Sequence, residues 1–230
     1  MSSLRALPRV FVPGAVADEP IDLPSEEVDK LRKVLRLSSG AEIAVLPNDG
    51  TLIRCEFKGR QALPKEVLRP ETEAPLRLTI AQALPKGDKL DEIVRACTEI
   101  GVARFILFPS ERTVVRWDEH KTESRVNRLR TIAREAAEVS FRTILPEFTI
   151  AKGLADVLHL EPSCMVLSEV ESTKPKLSRT GSEMTIVVGP EGGWSNRELA
   201  LIGDRGLTLG PRVLRVDHAA PSAAAILLLS

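Results

Sequence analysis

Apolar positions along the chain follow two different periods, and each change of period marks an element. "RVFV" (residues 9–12) is a short β-branched run of strand character. "PSEEVDKLRKVLRL" sets Val28, Leu31, Val34 and Leu35 at helical spacing, with Ser25 as the expected N-cap. In "AEIAVLPNDGTLIRCEFKG" two apolar runs flank Asn48-Asp49-Gly50, where positive φ is tolerated, which predicts a hairpin. "RPETEAP" carries two prolines and little apolar content and reads as a linker. Residues 1–70 are therefore expected to form a small β-rich domain with one helix, 71–75 a linker, and 76–230 a second domain.

From Leu76 the texture becomes strand alternating with helix. "LRLTIAQAL", "ARFILFPS", "CMVLSE" and "TIVVGPEGG" read as strands. "KLDEIVRACTEIG" is helical: Leu90, Ile93, Val94 and Cys97 share a face, Asp88 is placed to cap it and Gly101 to end it. A longer polar-faced helix comes next, with Val126, Leu129, Ile132, Ala133 and Ala136 on its buried side. The alternation predicts an α/β fold with a mostly parallel sheet covered on both faces. Ligands of such sheets sit at the carboxyl ends of the strands.

Composition narrows the function classes. Of 230 residues, 43% are hydrophobic and 28% charged, and 32 basic side chains offset 32 acidic ones. A protein that clings to nucleic acid over its whole surface is disfavoured, while local basic patches remain open. Three widely spaced cysteines, Cys55, Cys97 and Cys164, form no C-x-x-C pair and read as buried thiols of a reducing cytosol, so no metal is expected. "MSSLRALPRVFVPG" lacks a signal-peptide core, and the apolar tail "AAAILLL" is far below the ~20 residues that span a bilayer. A cytoplasmic protein without a membrane segment is the expectation. Aromatic content is 3% with no tyrosine, which argues against base-stacking platforms.

The densest chemistry lies in "TIVVGPEGGWSNREL". Gly189, Pro190, Glu191, Gly192 and Gly193 come directly after a strand, and Ser195 to Glu198 has the S-x-x-E spacing of a capping box, so a helix starts at once. "LTLGPRVLRVDHAAPSAAAILLL" repeats the device around Gly210-Pro211, and "MVLSE" supplies a third strand end. No G-x-G-x-x-G or G-x-x-x-x-G-K-[ST] occurs, so no dinucleotide or triphosphate cradle is indicated. Three strand ends leading into small or polar residues could line one pocket.

"GPEGGWSNREL" with "LGPRVLR" resembles the signature of the RsmE family of 16S ribosomal RNA methyltransferases, enzymes of the SPOUT class. "ALPKGDKLDEIVRACTEIGVARFILFPSERTVV", "AREAAEVSFRTILPEF" and "KVLRL" extend the likeness over nearly the whole chain. It departs where Val216-Asp217-His218 replace the usual Thr-Glu-Thr, where "DKLRKVLR" lacks the usual histidine before "VLR", and where Val139 replaces a glutamine. The resemblance implies a SPOUT-type parallel sheet with a deep trefoil knot, preceded by a PUA-like β-barrel that binds RNA. It implies S-adenosylmethionine held by Leu167, Ser168 and Glu169, by Gly189 to Gly193, and by Leu209, Gly210, Arg212, Val213, Leu214 and Arg215. The implied reaction methylates ring nitrogen 3 of one uridine in the small ribosomal subunit, by a homodimer.

That nitrogen is a weak acid, so the enzyme must take its proton or stabilise charge on the flanking carbonyls. Arginine suits the second role. Arg142 and Arg215 are the candidates, with Asp217 or Glu138 orienting them or taking the proton; His218 is a further candidate base. Arg32, Lys33, Arg36, Arg112 and Arg116, with Arg54, Lys58 and Arg60, are candidate phosphate contacts. A non-catalytic ribosome-binding protein on the same scaffold, or an enzyme acting on another RNA base, remain alternatives.

Overall fold

The computed structural model describes residues 3–115, 117–168 and 176–229, with Glu119 and His120 described by their backbone. Two compact units are present: Met1–Glu73 with Ala137–Leu145, and Ala74–Ala136 with Pro146–Ser230.

The first unit contains β1 (Arg9–Phe11), β2 (Ile21–Asp22), α1 (Ser25–Asp29), β3 (Glu42–Leu46), β4 (Leu52–Phe57) and β5 (Gln61–Leu68). They form one mixed sheet in the order β1-β3-β4-β5-β2, with β1 and β3 parallel and the other neighbours antiparallel. The expected hairpin joins β3 to β4, and both Asn48 (φ 71°) and Gly50 (φ 89°) take the left-handed conformation. Asp49 closes the turn by accepting the Thr51 N–H at 2.9 Å.

Both faces of this sheet are buried. Ile43, Val45, Ile53, Cys55 and Phe57 pack with Val28 and Leu31 on one side. Ala44, Leu46, Leu52 and Phe11 pack on the other with Ala137, Phe141 and Leu145. The returning segment 137–145 is thus a structural part of the first unit. Its anchor is Arg142, 3% exposed, whose Nε and Nη2 donate to Glu73 Oε2 at 3.1 and 2.8 Å. The other Glu73 oxygen accepts the N–H groups of Thr143 and Ile144 at 2.8 and 3.1 Å.

The helix after β2 differs from expectation. Its N-cap is Pro24, with no side-chain cap, and Ser25 is already helical. After Asp29 the chain widens into a π-turn, Lys30–Val34, with Leu35 N–H donating to Lys30 C=O at 2.9 Å. Widening breaks the 3.6-residue register, so Val28 and Leu31 stay inside while Val34 (73% exposed) and Leu35 turn to solvent.

The second unit contains β6 (Arg77–Ala83), α2 (Lys89–Ile100), β7 (Arg104–Phe108), most of α3 (Glu119–Val139), β8 (Glu147–Ile150), α4 (Leu154–Leu160), β9 (Met165–Leu167), β10 (Glu183–Val188), α5 (Asn196–Ile202), β11 (Gly206–Leu207) and α6 (Val216–Leu228). All six strands are parallel, in the order β11-β9-β10-β6-β7-β8. Alternate residues serve opposite faces. Leu78, Ile80, Phe105 and Ile186 meet α2, α3 and α6, whereas Ala81, Ile106 and Val187 meet α4 and α5. Each buried Leu, Ile, Val or Phe among them contributes about 1.5–3 kcal/mol. The apolar stripe read for α2 is buried, and Gly101 ends the helix at φ 116°. Asp88 precedes α2 but makes no side-chain cap. Cys55, Cys97 and Cys164 are buried free thiols, and burial pushes the Cys55 thiol up to about 12. No helix among the described residues is long and apolar enough to cross a membrane.

Arg142→Ala removes a buried guanidinium and leaves Glu73 Oε2 without its charged partner. The expected loss is about 3 kcal/mol of unfolding free energy, measured by urea titration, with Arg142→Lys in between because one ammonium cannot reproduce the fork.

Candidate functional site

Parallel pairing carries the ends of β9, β10 and β11 to one edge of the sheet, and the loops leaving them enclose a cavity of about 410 Å³. Its walls include Leu167 and Ser168 from β9, Gly189, Pro190, Glu191, Gly193 and Trp194 from the β10–α5 loop, and Leu207 to Leu209 with Val213 to Val216 from the loop into α6. Leu209 and Leu214 also pack against the core below. Lys89 from α2 and Ala219 from α6 complete the lining.

Local sequence explains each wall. Ser195 and Glu198 form the expected capping box: Ser195 Oγ accepts the Glu198 N–H at 3.1 Å, and the Ser195 N–H donates to Glu198 Oε2 at 2.9 Å. The second Glu198 oxygen accepts from Ser110 Oγ and the Glu111 N–H at 2.7 and 3.0 Å, so the loop after β7 is stitched to the start of α5. Glu191 anchors the glycine loop to the start of α2, its Oε1 accepting from the Lys86 N–H at 3.0 Å and Lys89 Nζ at 2.8 Å. Burial would raise this carboxyl, but the bonds from Lys89, its own backbone and Lys86 outweigh it and hold it below the usual range.

At the end of β9 the Ser168 N–H donates to Leu207 C=O at 3.0 Å. The Ser168 side chain is 2% exposed, yet its hydroxyl has no hydrogen-bond partner among the described residues. A buried hydroxyl at the wall of a cavity, with its bonding capacity unused, fits a ligand that carries donors and acceptors. At the mouth, Arg215 is exposed, and its Nε donates to Asp217 Oδ1 at 3.2 Å. Burial would raise Asp217, but bonds from its own backbone N–H and from Arg215 hold its carboxyl below the ordinary value. His218 Nε2 lies 3.9 Å from the other Asp217 oxygen.

The structure therefore gathers Leu167, Ser168, Gly189, Pro190, Glu191, Gly193, Leu209, Val213, Leu214 and Arg215 around one space. Gly192, Gly210 and Arg212 lie on the same loops without lining it; the Gly192 carbonyl instead accepts from Arg112 Nη1 at 2.9 Å. Glu169 and Arg116 lie outside the described residues. Lys89, Val188, Trp194, Leu207, Thr208, Val216 and Ala219 line the cavity in addition to the expected residues; Trp194 is the one that sits inside the glycine motif.

Two expected catalytic groups are engaged inside the first unit. Arg142 is taken up by Glu73. Glu138 is buried, bonded through its carboxylate to Lys30 and to the Phe11 N–H, with Glu27 on the same ammonium. Burial pushes the Glu138 carboxyl up. Among the expected phosphate contacts, Arg54 is buried between Glu42 and Glu66, at 3.7 and 3.8 Å, and is not a surface group. Lys33 pairs with Asp29 at 2.9 Å and Lys58 with Glu56, while Arg32, Arg36, Arg60 and Arg112 are exposed.

A larger cavity of about 1150 Å³ lies around Trp117, Val126 and Leu154. Glu111, Glu123 and Glu198 wall it together with Arg130, Lys152 and Arg197, so its charge favours neither sign. Among the described residues no group of His, Cys, Asp and Glu could hold a metal ion.

Comparison with known proteins agrees with this geometry. Residues 72–228 match the RNA methyltransferase domain family. The ribosomal RNA small subunit methyltransferase E of Bacillus subtilis is 33% identical over 217 residues, covering 86% of this chain and 85% of that protein. Its namesake from Synechocystis is 31% identical, covering 90% and 72%. A methyltransferase from Legionella pneumophila, solved with bound SAM, superposes with a TM-score of 0.87 at 25% identity over 96% of both chains. A ribosomal RNA small subunit methyltransferase E from Neisseria gonorrhoeae, bound to S-adenosyl methionine, gives 0.84 at 26% identity over 95% of both. From the three convergent strand ends and these relatives together, the chain belongs to the ribosomal RNA small subunit methyltransferase E family of RNA methyltransferases.

Proposed function

We propose that this protein is the S-adenosylmethionine-dependent methyltransferase of 16S ribosomal RNA, acting on ring nitrogen 3 of one uridine in the small ribosomal subunit. The observation that carries the reading is the cavity at the β9, β10 and β11 ends, with the Ser168 hydroxyl in its wall and no partner for it among the described residues. When bound there, S-adenosylmethionine supplies a methyl group on a sulfonium that leaves as a neutral thioether. Leu209, Val213 and Leu214 offer apolar surface to its adenine, and Ser168 with the backbone of the glycine loop offers hydrogen bonds.

Arg215 serves the acceptor. Removing the imide proton of a uridine places negative charge on the flanking carbonyl oxygens, and a guanidinium at the cavity mouth stabilises it. Asp217 orients that guanidinium through the 3.2 Å bond to Nε. Glu138 and Arg142 act as structural groups of the first unit. Arg32, Arg36 and Arg60 there, and Arg112 beside the glycine loop, serve as phosphate contacts.

The finer architecture accords with the same membership: a knotted arrangement of the three loops, a PUA-like first domain, a homodimer and a cytoplasmic location. Ile226 on the last helix and Leu229 just after it are 41% and 70% exposed, which supports a subunit contact there.

Transfer of labelled methyl to small-subunit particles from cells lacking the protein, with the nucleoside identified by mass, tests the reading; a product other than 3-methyluridine, or none, rejects it. Ser168→Ala is expected to weaken S-adenosylmethionine binding by about tenfold in calorimetry. The melting temperature should hold or rise, because the buried hydroxyl lost has no partner among the described residues. Arg215→Ala is expected to abolish transfer while cofactor affinity stays within a few-fold; equal loss of both would place Arg215 in cofactor binding instead. Affinity for the particle should fall as salt rises, with a smaller slope in Arg112→Ala.

A further inference from the structure

The loop from Gly189 to Trp194 folds back so that its last side chain lies on its first residue. A Cβ placed on Gly189 would sit 2.9 Å from Cε2 of the Trp194 indole, a separation real Cβ atoms essentially never show, and 3.0 Å from Cζ2. The indole has nowhere to go. It is 6% exposed, its Nε1 donates to Leu167 C=O at 2.9 Å, and its ring lies parallel to Phe108, 6.4 Å between centroids and 5° between planes. The strain relieved by glycine here is steric, since Gly189 is not among the residues with positive φ.

The bond to Leu167 also constrains the next residue along the chain. Leu167 ends β9, and its neighbour Ser168 gives its own N–H to Leu207 C=O. Trp194 on one side and Leu207 on the other thus hold the two ends of the peptide unit that leads into Ser168. With these engaged, the Ser168 hydroxyl stands at that corner of the cavity without a partner among the described residues, on backbone that is held in place.

We propose that Trp194 is a positioning residue that presets the adenosyl site. Its indole is the rigid wall to which Gly189 is fitted, and it is the clamp that keeps the Leu167 carbonyl away from the ligand and holds Ser168 toward it. The inference rests on the reading of this cavity as the S-adenosylmethionine site. Trp194 touches no reacting atom and acts through the shape and the donor pattern of the cavity.

The steric pair supplies a test by compensation, made on the full-length protein with S-adenosylmethionine as the titrant. Trp194→Phe keeps a ring but frees the Leu167 carbonyl, so the dissociation constant should rise about tenfold. Gly189→Ala should weaken binding by at least as much, because either the loop or the indole must move. Gly189→Ala combined with Trp194→Leu should bind better than Gly189→Ala alone, since the smaller side chain clears the added methyl; independent damage would make the pair worse. In turnover the same variants should raise KM for S-adenosylmethionine and leave kcat within about twofold, as expected for lost uniform binding. Circular dichroism and thermal melting show that each variant is folded, and Trp194→Phe alone carries the test if Gly189→Ala does not fold.

A second readout uses fluorescence. The chain has two tryptophans, so Trp117→Phe leaves Trp194 as the lone indole, and its emission should shift on titration with the calorimetric dissociation constant. Wild-type protein that is folded but binds no S-adenosylmethionine would overturn the site reading and this inference together. Wild-type binding with a double variant no tighter than Gly189→Ala, a Trp194→Phe variant within about twofold of wild type, or silent Trp194 emission would overturn the inference and leave the site reading standing.

Discussion

Parallel strand pairing is the constraint on which this molecule depends. β10 is bonded to β6 along its full length and to β9 on its other side, so neither edge is free to slide. Because β11 joins β9 in the same sense, three neighbouring strands must release their chains at one edge of the sheet. Side chains gathered there come from loops far apart in sequence, yet the distances between them are set by strand spacing. The capping box of α5 and the Glu191 tether then fix where the β10 loop goes next. A ligand cavity built this way is held by hydrogen-bonded backbone and costs little ordering when it binds.

In the first unit the charged side chains expected to be catalytic, Glu138 and Arg142, are bonded to partners within the fold. Glu138 is taken out of water beside Glu27, and both carboxylates are served by the single Lys30 ammonium. Arg142 is spent on Glu73, which also caps two backbone N–H groups. Buried charges are tolerated when paired and hydrogen-bonded, and removing one partner leaves the other stranded. These clusters secure the segment 137–145 against its sheet. By contrast, Arg215 is exposed at a cavity and its Nε donates to Asp217 in the first turn of α6.

Where the chain speaks through neighbours a few residues apart, its sequence is a reliable guide. The apolar stripe of α2, the Ser195–Glu198 box, the Asn48–Gly50 turn and the strands flanking them are all present. Val34 and Leu35 show where that logic stops: their spacing is helical, but a π-turn rotates both to solvent. β8 left no readable pattern because its residues are at most half-buried and carry little apolar contrast. Arg54 has the look of a surface cation and is buried between two strands, since its neighbours Glu42 and Glu66 are opposite it in the sheet rather than adjacent in sequence.

Short-range chemistry was enough to establish an α/β chain, the glycine turns at strand ends and a family likeness, because turns, caps and periodicity depend on residues within one or two turns of each other. Long-range packing settled the rest: that Ala137–Leu145 covers the second face of a sheet begun at Arg9, that Arg142 belongs to Glu73, and that Lys89, Trp194 and Thr208 join the cavity wall. Such contacts bridge tens of residues, and no local period records which distant side chain will meet which. The hydroxyl of Ser168, without a partner among the described residues, is the clearest case, since a serine is polar in any sequence and is buried only once the fold has enclosed it.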